Sequence, residues 1–223
     1  MNNEEKQMVK ACREDPALIF NLIKRGCFRG IEKLISENKV DVNMVDGVGN
    51  DVVMRLLKAH QYTLVIKLMK KRNWNVNHQN EEGNTFGHIL AQDNSVGALK
   101  VVDALKKKTR YMPNIKNNKG ETALDKAINN NYLMTMIKIL EDRRFNNIDI
   151  LSFKNLYRVC FKSSYYGKYT KLNNLELIVC NLNKKELDSN VRVVIDAIIN
   201  NYESIKNEIL NNQSFIMDTI ING

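Results

Sequence analysis

The chain has 223 residues, 43% of them hydrophobic, with 10 Gly and 2 Pro, which suits one domain or one modest repeat array and argues against wholesale disorder. The formal net charge is +9, from 34 Lys and Arg against 25 Asp and Glu, so acidic partners come into consideration. No apolar run approaches the roughly 20 residues a membrane helix needs, and no charged-then-apolar leader opens the sequence, so it reads as a soluble protein without a secretion signal.

A period runs along the chain, and the elements follow it in order. Residues 1–40 carry Leu22-Ile23, Phe28, Leu34 and Val40, which align with Leu56-Leu57, Tyr62, Leu68 and Trp74 after a shift of 34 residues. This first segment opens on polar residues 2–6 and has residues 12–15 where later units place a turn, so it reads as a divergent N-terminal capping repeat. Residues 41–74 begin with Val42-Asn43 and the turn Asp46-Gly47-Val48-Gly49, then carry apolar stretches at 52–57 and 64–69. Residues 75–111 repeat the order with Val76-Asn77, Asn80-Glu81-Glu82-Gly83 and stretches at 86–91 and 99–105. Residues 112–146 do so again with Pro113-Asn114, Asn117-Asn118-Lys119-Gly120 and stretches at 123–128 and 133–140.

After Asn147-Ile148-Asp149 the pattern loosens. Residues 147–183 hold stretches at 156–161 and 172–182 around the loop Ser163-Ser164-Tyr165-Tyr166-Gly167, a degenerate repeat. Residues 184–223 hold two more amphipathic segments, 191–202 and 205–221, which read as a helical C-terminal cap. In each regular unit Asp or Asn opens the turn through side-chain to backbone hydrogen bonds, and Gly closes it in the left-handed conformation. The apolar residues that follow recur at three- and four-residue spacing, as helices buried on one side require. A turn with two short helices cannot bury its apolar face alone; stacked units can.

The motif Thr85-Phe86-Gly87-His88-Ile89-Leu90-Ala91 resembles the T-P-L-H-x-A signature of ankyrin repeats, keeping the Thr, the His and the small residue. Thr122-Ala123-Leu124-Asp125-Lys126-Ala127 keeps the Thr, Leu and Ala, and Asp51-Val52-Val53-Met54-Arg55-Leu56-Leu57 keeps the pattern with Asp at the capping position. The resemblance covers residues 15–150 and extends less distinctly to 183. It implies an all-α ankyrin-repeat solenoid of stacked helix pairs with projecting β-turns, followed by the C-terminal helical cap. It also implies that His88 hydrogen-bonds between neighbouring turns. Gly87 stands where the signature has a core Leu, which implies either a thin core there or a large compensating neighbour.

Enzyme signatures are absent: no phosphate-binding loop, no dinucleotide fingerprint and no nucleophile elbow. Glu81-Glu82 and Glu141-Asp142 are adjacent carboxylates that point apart in a turn or at a helix end, so they do not make an acid/base pair. The reading is non-catalytic. His60, His78 and His88 lack metal-ligand spacing, and residues 46–51 lack the ligand count of a calcium loop, so no metal and no cofactor are expected. Cys12, Cys27, Cys160 and Cys180 form no C-x-x-C pair and sit among apolar residues, pointing to buried free thiols and an intracellular location, cytoplasm or nucleus.

The resemblance implies a protein-recognition scaffold, adaptor or inhibitor, working through the turns and first helices. The matching positions are Gly47, Val48, Asn50 and Lys58; Glu81, Glu82, Asn84, Gln92 and Asp93; and Asn118, Lys119, Glu121, Asn129 and Asn130. This strip is amide-rich and has no aromatic anchor; the bland reading is a wholly solvated strip. Residues 55–110 hold 11 Lys and Arg against 4 acids, concentrated in Lys70-Lys71-Arg72 and Lys106-Lys107-Lys108-Thr109-Arg110. Both clusters fall at ends of successive second helices, where cations also suit the helix dipole. Their functional reading is a basic edge docking on nucleic acid or another polyanionic surface, against a solvated edge. A recruitment subunit of a larger enzyme is the remaining alternative. Tyr165, Tyr166 and Tyr169, with lysines around them, offer either a further contact surface or packing of their loop.

Overall fold

The computed structural model describes residues 2–130, 132–142 and 144. The chain divides into two units, residues 1–142 and 143–223. The degenerate repeat at 147–183, the cap at 184–223, the tyrosine loop, Cys160 and Cys180 lie outside the described residues.

The first unit is all-α, with no strand among the described residues. Its helices are α1 (Asn3–Glu14), α2 (Ile19–Lys24), α3 (Phe28–Ser36), α4 (Val52–Lys58), α5 (Tyr62–Met69), α6 (Phe86–Leu90), α7 (Val96–Lys106), α8 (Ala123–Asn129) and α9 (Leu133–Leu140). Local chemistry sets many of the starts. Asn2, Asp51, Ser95 and Thr122 each accept a backbone N–H three residues on, at 2.7, 2.7, 3.2 and 3.3 Å. Asp15 caps a single 3-10 turn (Pro16–Leu18) in which Pro takes the first position, where its missing N–H costs nothing.

Two rows of helices stack. Along one row α2 packs on α4, α4 on α6 and α6 on α8; along the other α5 packs on α7 and α7 on α9. Burial follows this geometry. In α6, between α4 and α8, all five residues are buried, whereas α5 buries Leu64, Val65, Leu68 and Met69 along one face. The 34-residue shift holds in space: Leu34 and Leu68 are both fully buried, as are Val40 and Trp74 nearly so.

At the N-terminal end the polar residues 2–6 and the segment without a turn at 12–15 belong to one helix and its caps: α1 runs through Glu14 and packs on α2 and α3. Its apolar positions Val9 and Cys12 are buried in that contact. The approach is close: a Cβ on Gly30 of α3 would lie 2.6 Å from Val9 Cγ2, and the Gly30 N–H donates to Glu5 Oε1 at 3.0 Å. Arg13 clamps Glu37 with two hydrogen bonds of 3.0 and 2.8 Å, joining the ends of α1 and α3. Cys12 is a buried free thiol as expected; Cys27, at the exposed start of α3, is free but only half-buried.

The gap left by Gly87 is filled. A Cβ there would lie 2.6 Å from the hydroxyl oxygen of Tyr111, whose ring is buried against α6, so the large compensating neighbour exists and comes from the end of the same unit.

Candidate functional site

The turns before α4, α6 and α8 form a row, and one chemical device builds each of them. Asp46, Asn80 and Asn117 each present Oδ1 to two backbone N–H groups, two and four residues on: Val48 and Asn50 at 3.0 Å each, Glu82 and Asn84 at 3.1 and 2.9 Å, Lys119 and Glu121 at 2.9 and 3.0 Å. Gly49, Gly83 and Gly120 then take φ of +74°, +72° and +76°. At Gly83 the need is double, because a Cβ would also lie 2.7 Å from the backbone N of Asn118 in the next turn.

Asparagine amides then tie the turns to each other. Asn80 Nδ2 donates to Asn50 Oδ1 at 3.0 Å, and Asn117 Nδ2 donates to Asn84 Oδ1 at 2.9 Å. Backbone bonds run alongside, from Glu81 N to Val48 O and from Asn118 N to Glu82 O. A second ladder runs below it. Asn43 donates to Asn73 O and accepts from Asn75 N at 2.8 and 2.9 Å, and Asn77 repeats this with Arg110 O and Met112 N at 2.7 and 2.9 Å. Many of the chain's asparagines thus have a structural task. The first rung is Asp rather than Asn: with no turn upstream to receive an amide, Asp46 pairs instead with Arg55.

The ladder corrects the list of exposed positions. Asn50 and Asn84 are 0% and 2% exposed, because their amides face neighbouring turns rather than solvent. Asp93 is half-buried and held by Tyr62 Oη at 2.6 Å, His60 Nδ1 at 3.1 Å and the Ser95 N–H at 2.9 Å, so it pins the starts of α5 and α7. Glu121 is half-buried and accepts from Asn117 and Asn129 at 3.0 and 2.9 Å. Val48, Lys58, Glu81, Glu82, Gln92, Asn118, Lys119, Asn129 and Asn130 are exposed.

One rung is incomplete. Asn84 Nδ2 finds Glu82 Oε2 at 2.6 Å, two residues back, but the corresponding residue before Asn50 is Val48. Asn50 Nδ2 is left buried without an acceptor, and Val48 is 47% exposed. Val48→Glu supplies the carboxylate that Glu82 provides one unit on. It is expected to raise stability by about 1 kcal/mol, seen as a higher urea midpoint with unchanged slope. A lower midpoint would contradict the ladder's chemistry.

His88 sits under the row with both ring nitrogens engaged. Nδ1 accepts from the Thr85 N–H at 3.1 Å and lies 2.8 Å from the Thr85 hydroxyl, so Nε2 carries the proton and donates to Glu121 O at 2.8 Å. Burial, with Lys126 nearby, pushes its pKa below the ordinary 6.5, outweighing the bond to the Glu121 carbonyl. The unfolded chain therefore takes up the proton first, and the stability His88 contributes is complete above pH 6.5 and is lost as pH falls below it. His88→Gln keeps a donor without a titration. Its melting temperature is expected to fall less steeply than that of the wild type from pH 6.5 downward; parallel curves would refute the assignment. Asp51, raised by burial despite bonds from Met54 N and Trp74 Nε1, acts in the opposite sense above pH 3.8 and is common to both proteins.

The two basic clusters begin at the ends of α5 and α7, which pack together. The structure divides them. Lys71 is half-buried and donates to Asn38 Oδ1 and Val40 O at 2.7 and 3.2 Å, while Lys106 joins Asp103, Lys138 and Glu141 in a four-charge network between α7 and α9. Lys70, Arg72, Lys107 and Arg110 are exposed and Lys108 is half-buried. Among the described residues no helix is long and apolar enough to cross a membrane. No protein-family profile matches the chain, and no curated protein is recognisably similar to it.

Proposed function

We propose that residues 1–142 form an ankyrin-repeat recognition scaffold that binds another protein through the row of turns and the adjoining first helices. The observation that carries this reading is the asparagine ladder. It fixes the turns at spacings set by buried amides while leaving Val48, Glu81, Glu82, Asn118 and Lys119 exposed at their tips. A rigid row of varied side chains binds without a large ordering cost. The recurrence every 34 to 37 residues, the turn-then-two-helices order and the two stacked helix rows all support the same reading.

The test is quantitative affinity capture from native lysate with the wild type, a Glu81→Lys, Lys119→Glu double variant and a Lys107→Glu control. A partner lost with the turn variant and retained with the control is expected. Identical captured sets from all three would sink the proposal.

A second reading, the basic edge as a polyanion dock, is favoured by one feature. A groove of about 740 Å³ beside the end of α5 is lined by Lys39, Lys71 and Arg72 with Asp41 as its one acid. Salt-dependent retention on heparin that is lost with Arg72→Glu and Lys107→Glu would support it, and no retention at low salt would remove it.

A further inference from the structure

The face made by α2 and α4 carries a groove of about 440 Å³ whose chemistry is unbalanced. Phe20 and Ile23 give it an apolar wall, and Lys24, Arg55 and Lys58 bring three cations to it against one carboxylate, Asp46. That carboxylate is already spent on Arg55 and on the Val48 and Asn50 N–H groups of its own turn. Lys24 and Lys58 are exposed, and the Lys58 ammonium bonds the neutral amide oxygen of Asn50 at 3.0 Å rather than a carboxylate. Burial, and then Arg55, press the Lys58 pKa below its ordinary value, outweighing the raising effect of the Glu82 and Asp46 carboxylates. Negative charge is what this corner lacks.

We propose that the α2–α4 groove takes an acidic segment of a partner protein, with an apolar side chain against Phe20 and Ile23 and carboxylates on Lys24 and Lys58. This rests on the scaffold reading above and names the chemistry of the segment one end of that surface accepts. Two features of the groove set the specificity. Lys24 and Lys58 come from two different packed helices, α2 and α4, so they favour two carboxylates over a single acid. The wall is apolar, so charge alone does not satisfy it.

The experiment is fluorescence anisotropy of the full chain with a fluorescein-labelled hexapeptide in which two leucines are flanked by paired glutamates. Saturable, salt-sensitive binding is expected, weakened about tenfold or more by Lys24→Glu or Lys58→Glu and unchanged by Lys107→Glu. A peptide with glutamines for the glutamates, and one with serines for the leucines, should each bind markedly less. The inference is overturned if the wild type shows no saturable binding, if Lys107→Glu weakens binding as much as Lys58→Glu, or if the glutamine peptide binds equally well. If the peptide fails while the turn variant still loses its captured partner, the groove assignment falls and the scaffold reading stands. If the peptide binds the groove and no partner depends on the turns, the scaffold reading falls instead.

Discussion

Alanine at Asn80 is expected to destabilise the first unit by about 3 kcal/mol, more than most surface-turn substitutions. Three bonds vanish together: the N–H groups of Glu82 and Asn84 lose their acceptor, and Asn50 Oδ1 loses one of its two donors, keeping Lys58 Nζ. The Asn84 N–H is buried and has no water to turn to, which is why the cost exceeds that of an exposed hydrogen bond. Asn80→Asp separates the two roles. It keeps the turn, as Asp46 does in the first rung, but sets a carboxylate facing the Asn50 oxygen, so about half of the loss is expected. Urea unfolding measures both, and equal losses would contradict the division of labour.

Phe86→Ala is expected to cost about 4 kcal/mol, within the range for removing a large buried aromatic ring. Phe86 is 0% exposed in the helix that lies between α4 and α8, and its ring meets Trp74 edge-on with centroids 5.1 Å apart. Trp74 in turn donates from Nε1 to Asp51 Oδ2 at 3.0 Å, so the cavity would loosen a buried polar contact as well as the packing. Trp74 is the chain's one tryptophan, and its emission gives a direct second readout. A red shift in the folded variant, alongside the lowered urea midpoint, is the expected pair. A loss under about 1 kcal/mol would mean that the site collapses around the gap.

The helices were legible because their signals are local. The stretches at 52–57, 86–91 and 123–128 became α4, α6 and α8, and the Asp51 cap forms as its chemistry required. The turns were legible for the same reason, since a side-chain oxygen bonding two and four residues on is a short-range event. What the sequence withheld is contact between units. Asn50 and Asn84 sit in turns beside exposed residues, and only the lateral register between turns reveals that their amides point into the row. Helix α1 was missed because its apolar stripe is thin, with Val9 and Cys12 buried among charged residues. The Gly87 gap could be anticipated from the motif, but its filling by Tyr111, 24 positions later, needed the chain path. Likewise Asp93 reads as a surface acid until Tyr62 and Ser95 are seen to hold it.

The central structural claim is that amide pairs make the three turns one cooperative row, and native-state hydrogen exchange of the backbone amides tests it most directly. In the wild type the Asn50, Glu82, Asn84, Lys119 and Glu121 amides, all bonded to ladder side chains, should exchange slowly and with similar protection. In Asn80→Ala, protection should fall in the neighbouring turns too, at the Asn50 and Asn118 amides as well as at Glu82 and Asn84. Exchange at open-loop rates in the wild type, or a loss confined to Glu82 and Asn84 in the variant, would contradict the account.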